Sequence, residues 1–223
     1  MTTLGRGSLL IKTSAWRNSS QAAVGGVGLV RSFSANQLVR EITPVSLRVL
    51  KISFNGNPKL NVLSVCSPPD GDSDEAADEF HNEVRRAISV TPAHNFVLAL
   101  GDAHLSKEWN RDPSWYYHDN TNCNGKLLRN TLLEANAEVT NLRFRKKPGK
   151  MWTYLSDMQL SKSQIDFILV KTKWRNSVMN TEAYDFFSSL GSDHRARLRL
   201  GGYCMTGQRS GRIVSYNRDT PWK

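Results

Sequence analysis

The chain has 223 residues, enough to bury a sizeable core in one large α/β domain, and 39% hydrophobic with 22% charged residues is a globular composition rather than a disordered one. Its formal charge of +10 is unevenly spread: residues 143–223 hold 16 Lys and Arg against 6 Asp and Glu, and the residues before them balance at 14 against 14. No apolar run approaches the ~20 residues that span a bilayer, no secretory signal core opens the chain, and Cys66, Cys123 and Cys204 form no CxxC pair, which argues against a membrane protein, a disulfide framework and a zinc site.

Taken in chain order, Gly25-Gly26-Val27-Gly28 has neither the spacing nor the lysine of a nucleotide-binding loop, and is read as close packing of a strand. Arg48 to Phe54 puts Leu50, Ile52 and Phe54 on one face. Asn55-Gly56-Asn57-Pro58 supplies turn chemistry, and Leu60 to Cys66 completes a hairpin. Beyond Ser67-Pro68-Pro69-Asp70-Gly71, the residues Ala77, Phe80, Val84, Ala87 and Ile88 recur at helical spacing. With Asp72 and Glu75 as an N-cap pair, they predict an amphipathic helix covering a sheet. Asn95 to Leu100 and Gln164 to Val170 are short apolar runs expected as strands buried on both faces. Ser106 to Asn124 lacks periodicity and reads as a long surface loop, and the glycine-bearing segment from Gly201 as a tail. Strand, helix and strand in this order indicate one α/β domain over residues 1–200, followed by a tail over 201–223.

The candidate chemistry lies at the ends of these strands. Asp102, in Gly101-Asp102-Ala103-His104, follows an apolar strand, where α/β sheets tend to place their sites; turn chemistry is the plainer reading. Asp166, inside Ile165-Asp166-Phe167-Ile168, is costly to bury unpartnered, so it serves either a structural salt bridge or hydrogen bond or the orientation of a catalytic imidazole. Ser192-Asp193-His194 precedes alternating Arg195, Arg197 and Arg199. Together Asp102, Asp166, Asp193 and His194 make three carboxylates and one imidazole, the set that metal-assisted phosphodiester hydrolysis asks for. Asn122 and Asn124 are candidate phosphate donors or a plain Asn-Gly turn. Trp109, Trp115, Tyr116 and Tyr117 either stack on bases or pin the loop. The basic C-terminal excess suits a polyanion such as DNA, because each neutralised phosphate releases counterions; a solvated tail is the alternative.

The order of motifs resembles the apurinic-type endonuclease domain of RTE/BovB-like non-LTR retrotransposons, a branch of the endonuclease/exonuclease/phosphatase superfamily to which craniofacial development protein 2-like proteins are similar. The resemblance rests on Ser14-Ala15-Trp16-Arg17-Asn18, Phe54-Asn55-Gly56-Asn57-Pro58, Pro92-Ala93-His94-Asn95-Phe96, Gly101-Asp102, Asn122-Cys123-Asn124-Gly125, Gln164-Ile165-Asp166-Phe167-Ile168, Lys173-Trp174-Arg175-Asn176-Ser177 and Ser192-Asp193-His194-Arg195. It implies a four-layered α/β sandwich of the DNase I-like kind and Mg²⁺-dependent nicking of DNA. It further implies that Asp102 orients the attacking water, Asp166 supports the histidine, and Asp193 and His194 form the terminal pair, with Asp193 the remaining metal ligand. Asn122, His104, Trp152 and Arg195 are the implied nucleic-acid contacts.

Departures from that pattern bear on activity. The family's metal-binding Glu lies upstream of the region where this chain starts, so a chain lacking it and the first strands is expected. Cys66-Ser67-Pro68 stands where the family has a tyrosine motif, and His104 where it has an asparagine. A thiol cannot reach as far as a phenol, and imidazole changes the donor pattern of an amide. The expectation is a catalytically impaired endonuclease domain. Its alternatives are a non-catalytic DNA-binding remnant, a retroelement relic, or an active enzyme, in each case intracellular (nuclear or cytoplasmic), with no membrane segment and no organic cofactor.

Overall fold

The computed structural model describes residues 2–4, 8–12, 26–69, 72–102, 117–156, 161–183 and 197–200. Among the described residues, thirteen strands and three α-helices follow in chain order: β1 (Thr2–Leu4), β2 (Ser8–Lys12), β3 (Gly28–Ser32), α1 (Phe33–Gln37), β4 (Val39–Pro44), β5 (Val49–Phe54), β6 (Leu60–Val65), α2 (Asp74–Ser89), β7 (Phe96–Asp102), α3 (Cys123–Ala135), β8 (Ala137–Val139), β9 (Tyr154–Leu155), β10 (Lys162–Ser163), β11 (Asp166–Lys171), β12 (Val178–Glu182) and β13 (Arg197–Leu200).

The body is a six-stranded sheet ordered β4-β5-β6-β7-β11-β8. The expected hairpin is its first half: β5 and β6 pair antiparallel from Val49↔Val65 to Phe54↔Leu60. Strand β6 then pairs β7 in parallel, and a parallel neighbour needs a crossover, which α2 supplies. Strand β11 closes antiparallel against β7 on one side and β8 on the other.

Alternation along the strands sorts two cores. Val49, Leu63, Phe167 and Leu169 face Phe80, Val84, Ala87 and Ile88 of α2 and Leu128, Leu132 and Ala135 of α3. The opposite-facing residues Leu50, Ile52, Phe54 and Val62 pack with Val27 and Leu29 at the start of β3. Helices therefore cover one face, and strands outside the main sheet cover the other. β3 belongs to a small sheet β1-β2-β3, and β12 pairs β13. Gly26 sits at φ 104, where a side chain would be strained, and donates its N–H to the Leu47 carbonyl at 3.0 Å; it and Gly28 are exposed, and Gly25 lies outside the described residues.

The boundaries correct several expectations. Helix α2 is capped by Ser73, whose hydroxyl accepts the Ala76 N–H at 3.2 Å, and not by Asp72, which lies 3.7 Å from Arg48. The hydrogen bond that caps a first turn runs from residue i to the N–H at i+3, and Ser73 is the residue in that register. Strand β7 extends through Gly101 and Asp102, so Asp102 ends the strand rather than following it. The stretch read as a loop to Asn124 already contains the start of α3. There Asn122 accepts the Gly125 N–H at 2.9 Å, and Asn136 closes the helix in the left-handed region at φ 48. An Asn-Gly pair read as a turn thus opens a helix, because the cap holds Gly125 in the first turn.

Candidate active site

Because β6 and β7 are parallel and β11 runs against them, the last residues of β6 and β7 share one end of the sheet with the first residue of β11. Open α/β sheets place their sites at such an end, outside the carboxyl ends of parallel strands. The register sets Asp166 directly opposite Asp102, which brings two of the four expected catalytic positions together.

Asp166 is held through its backbone. The Thr153 hydroxyl accepts the N–H groups of Ile165 and Asp166, both at 3.0 Å. Asn141 donates its Nδ2 to the Asp166 carbonyl at 3.1 Å and accepts the Ile168 N–H at 2.8 Å. Behind them, Thr181 bonds Thr140 at 2.9 Å, and Thr140 donates to the Ile168 carbonyl at 2.9 Å. Buried backbone groups need partners, and this polar row supplies them where the strand leaves the sheet. Asp166 opens β11 and is half-buried, so its carboxylate does not carry the full burial cost expected of a mid-strand position.

His118 is a neighbour that no sequence pattern singles out. The His118 Nε2 lies 3.1 Å from the Gln164 carbonyl and 3.2 Å from the Gln164 N–H, donating to one or accepting from the other according to tautomer. Either bond steadies the approach to Asp166. His118 stands in an aperiodic stretch, so only the fold could pair it with a residue 46 positions away. Trp152 lies beside the two-stranded ribbon of β9 and β10 with the Lys162 ammonium 4.9 Å from its ring centroid, a cation–π contact next to Thr153.

The segment leaving β6 is tied down at the same end. Arg48 donates to the Ser67 carbonyl at 3.2 Å, and Asn124 donates its Nδ2 to the Pro68 carbonyl at 2.9 Å. Asn124 therefore fastens the N-terminus of α3 to the segment after Cys66. Asn122 has its side-chain oxygen committed to the helix cap. Deeper between α2 and α3, His81 is 6% exposed, with Nδ1 3.4 Å from the Thr131 hydroxyl. Burial pushes its ring down to about 4, although Asn124 and Asp78 favour the charged form. His81 Nε2 and Asn124 Oδ1 are both buried without a hydrogen bond of normal geometry.

Of the expected site residues, Asp102, Asp166, Asn122 and Trp152 are placed at or beside this end. His104, Asp193, His194 and Arg195 lie outside the described residues, as do Trp109, Trp115 and Tyr116. Among the described residues, no three His, Cys, Asp or Glu side chains group as metal ligands, and no helix is long and apolar enough to cross a membrane.

The sheet order and the helix layer define a mixed α/β fold of the DNase I-like class, shared with AP endonuclease, exonuclease and phosphatase structures. The AP endonuclease LMAP from Leishmania major superposes with a TM-score of 0.63 at 12% identity, over 86% of this chain and 69% of that one. The endonuclease domain of TRAS1, a telomere-specific non-LTR retrotransposon, gives 0.58 at 15% identity over 87% and 81%. The 3' phosphatase NExo from Neisseria, bound to a product DNA hairpin, gives 0.58 at 17% over 88% and 80%. In sequence, craniofacial development protein 2 of Bos taurus is 24% identical over 160 residues, which are 69% of this chain and 27% of that protein. Its counterpart in Tragulus javanicus is 23% identical over the same length, and the chain thus spans just over a quarter of these relatives. No family model matches the chain.

Proposed function

We propose that the chain is a nuclease-type domain of retroelement origin that engages the phosphodiester backbone of DNA and cleaves it weakly, with Mg²⁺ assistance. The observation that carries this reading is the pairing of Asp102 with Asp166 at the end of the sheet where β6, β7 and the N-terminus of α3 converge. Carboxylates are the hard oxygen donors that Mg²⁺ takes. Asp193 would hold the ion, which would supply charge to polarise a phosphoryl oxygen. Asp102 orients the attacking water, Asp166 fixes the tautomer of His194, and His194 moves a proton or meets the developing charge. Asn122, His104, Trp152 and Arg195 contact the DNA backbone. The solved relative bound to a DNA hairpin supports DNA as the ligand.

Weak catalysis follows from side-chain chemistry. Cys66, at the exit of β6, offers a short thiol where the resembling enzymes present a phenol, and a lost transition-state donor costs ~10²–10³ in rate. His104 replaces an amide with an imidazole. The basic surplus after residue 143 favours a second reading, a domain that binds DNA without cutting it.

Nicking of supercoiled plasmid in Mg²⁺ tests the proposal. Slow nicking that disappears in Asp102→Ala and His194→Ala, and rises in Cys66→Tyr, is the expected result. Binding with no nicking by the unsubstituted chain selects the second reading, and nicking that survives both alanine substitutions sinks the assignment of the site.

A further inference from the structure

Two separated segments repeat one pattern, cation, aromatic, cation: Arg143-Phe144-Arg145 and Lys173-Trp174-Arg175. The fold brings them together, since Phe144 and Trp174 both pack into the apolar cluster around Val170 and Val178. Trp174 also donates its indole N–H to the Asn95 carbonyl at 3.0 Å, and Arg143 Nη2 reaches the Asn176 side-chain oxygen at 3.5 Å. Turning the aromatics inward forces their neighbours outward. Phe144 is extended (φ −119, ψ 125), so the residues beside it point the opposite way. Lys173 and Arg175 lie in the 3-10 turn Thr172–Ser177, where each stands about a third of a turn from Trp174.

Arg145, Lys147, Lys173 and Arg175 are accordingly exposed. Arg143 is paired with Glu138 at 2.7 Å, but among the described residues none of these four cations has an acidic partner. Lys173 instead lies 5.5 Å from the Trp174 ring centroid. The packed aromatics hold the backbone that carries these cations, so an anion that meets them has only side chains left to order. Its place is the informative part. Asp166 opens β11 and the turn bearing Lys173 and Arg175 follows its last residue, so the two ends are roughly 17 Å apart at ~3.3 Å per residue. The turn bearing Lys173 and Arg175 is thus remote from the Asp102 and Asp166 end.

We propose that this ridge is a second DNA-binding surface, which holds the sugar-phosphate backbone of a duplex independently of sequence and away from the candidate active site. The inference concerns binding and stands whether or not the domain cleaves.

Fluorescence anisotropy with a duplex of about 30 base pairs, in EDTA and over salt from about 50 to 200 mM, tests it, because each phosphate contact adds ~0.9 to the slope of log K against log salt. The triple variant Arg145→Gln/Lys173→Gln/Arg175→Gln, which keeps both aromatics, is expected to lower that slope by about 2–3 with an unchanged melting temperature. Arg86→Gln, which removes an exposed cation of α2 outside the ridge, is expected to keep the full slope. Should the triple variant melt early, single Lys173→Glu and Arg175→Glu variants, each expected to lower the slope by about 1, take its place. An unchanged slope overturns the inference while leaving the proposed function intact. Absence of DNA binding by the unsubstituted chain overturns both. Phosphatidylserine vesicle binding that is lost in the triple variant, with DNA binding unaffected, assigns the ridge to a membrane surface and also overturns it.

Discussion

His81 shows how the fold changes a residue's chemistry. Buried between α2 and α3, its ring is pushed from the ordinary 6.5 to about 4, chiefly by desolvation. An unfolded chain binds a proton on this histidine below about 6.5, and the folded chain does not until about 4, so the unfolded state holds more protons across that window. Stability contributed by the neutral ring is therefore complete above about 6.5 and falls as the pH drops toward 4, by on the order of 3 kcal/mol. Thermal melts over that range are expected to show the decline, and His81→Leu to remove most of it; a variant with the same pH profile would mean that other groups are responsible. In the sequence His81 falls on the apolar stripe of α2, four residues after Ala77 and three before Val84, so its position marks it as buried although its residue type does not. The motif-borne residues are the converse case. Asp102 and Asp166 were legible as candidates because each borders an apolar run, but not as neighbours.

At the scale of the element, side-chain caps decide where helices and strands begin. The Asn122 oxygen satisfies an N–H that the first turn of α3 would otherwise leave open. Asn122→Ala is expected to cost about 1 kcal/mol in urea unfolding and Asn122→Ser almost nothing. An equal loss in both would assign the effect to something other than the cap. The same logic governs the start of β11, where one hydroxyl, Thr153, receives two backbone N–H groups beside Asp166. Apolar runs identified β5, β6, β7 and β11 to within two residues, since four or more alternating or continuous hydrophobic positions leave little else possible. Helix α3 was missed because its signal begins with polar Asn-Cys-Asn-Gly, and an N-cap cannot be told from a turn until the following residues are seen to pack. The two-residue strands β9 and β10 are too short to carry any period.

For the whole molecule, the two faces of the central sheet hold separate cores, and the helix-covered one is the larger. Phe167 sits fully buried in it, between strands β7 and β8 and beneath α2 and α3. Phe167→Ala is expected to cost about 3–5 kcal/mol, a large part of the ~5–15 kcal/mol that holds an ordinary domain together. Loss of sheet and helix signals in one shared transition would show that the core is a single cooperative unit, and two separated transitions would refute it. What the amino-acid sequence determined by itself was the α/β class, the main strands, the helix over them, the uneven positive charge and the candidate carboxylates, because hydrophobic period and residue chemistry are local properties. What only the tertiary structure decided was adjacency. Asp102 meets Asp166 because β11 enters antiparallel in one register, His118 reaches Gln164, Asn124 ties α3 to Pro68, and Phe144 packs into one cluster with Trp174. Each of these is a contact between residues far apart in the chain, and strand order and register, which no local pattern encodes, set which of them come together.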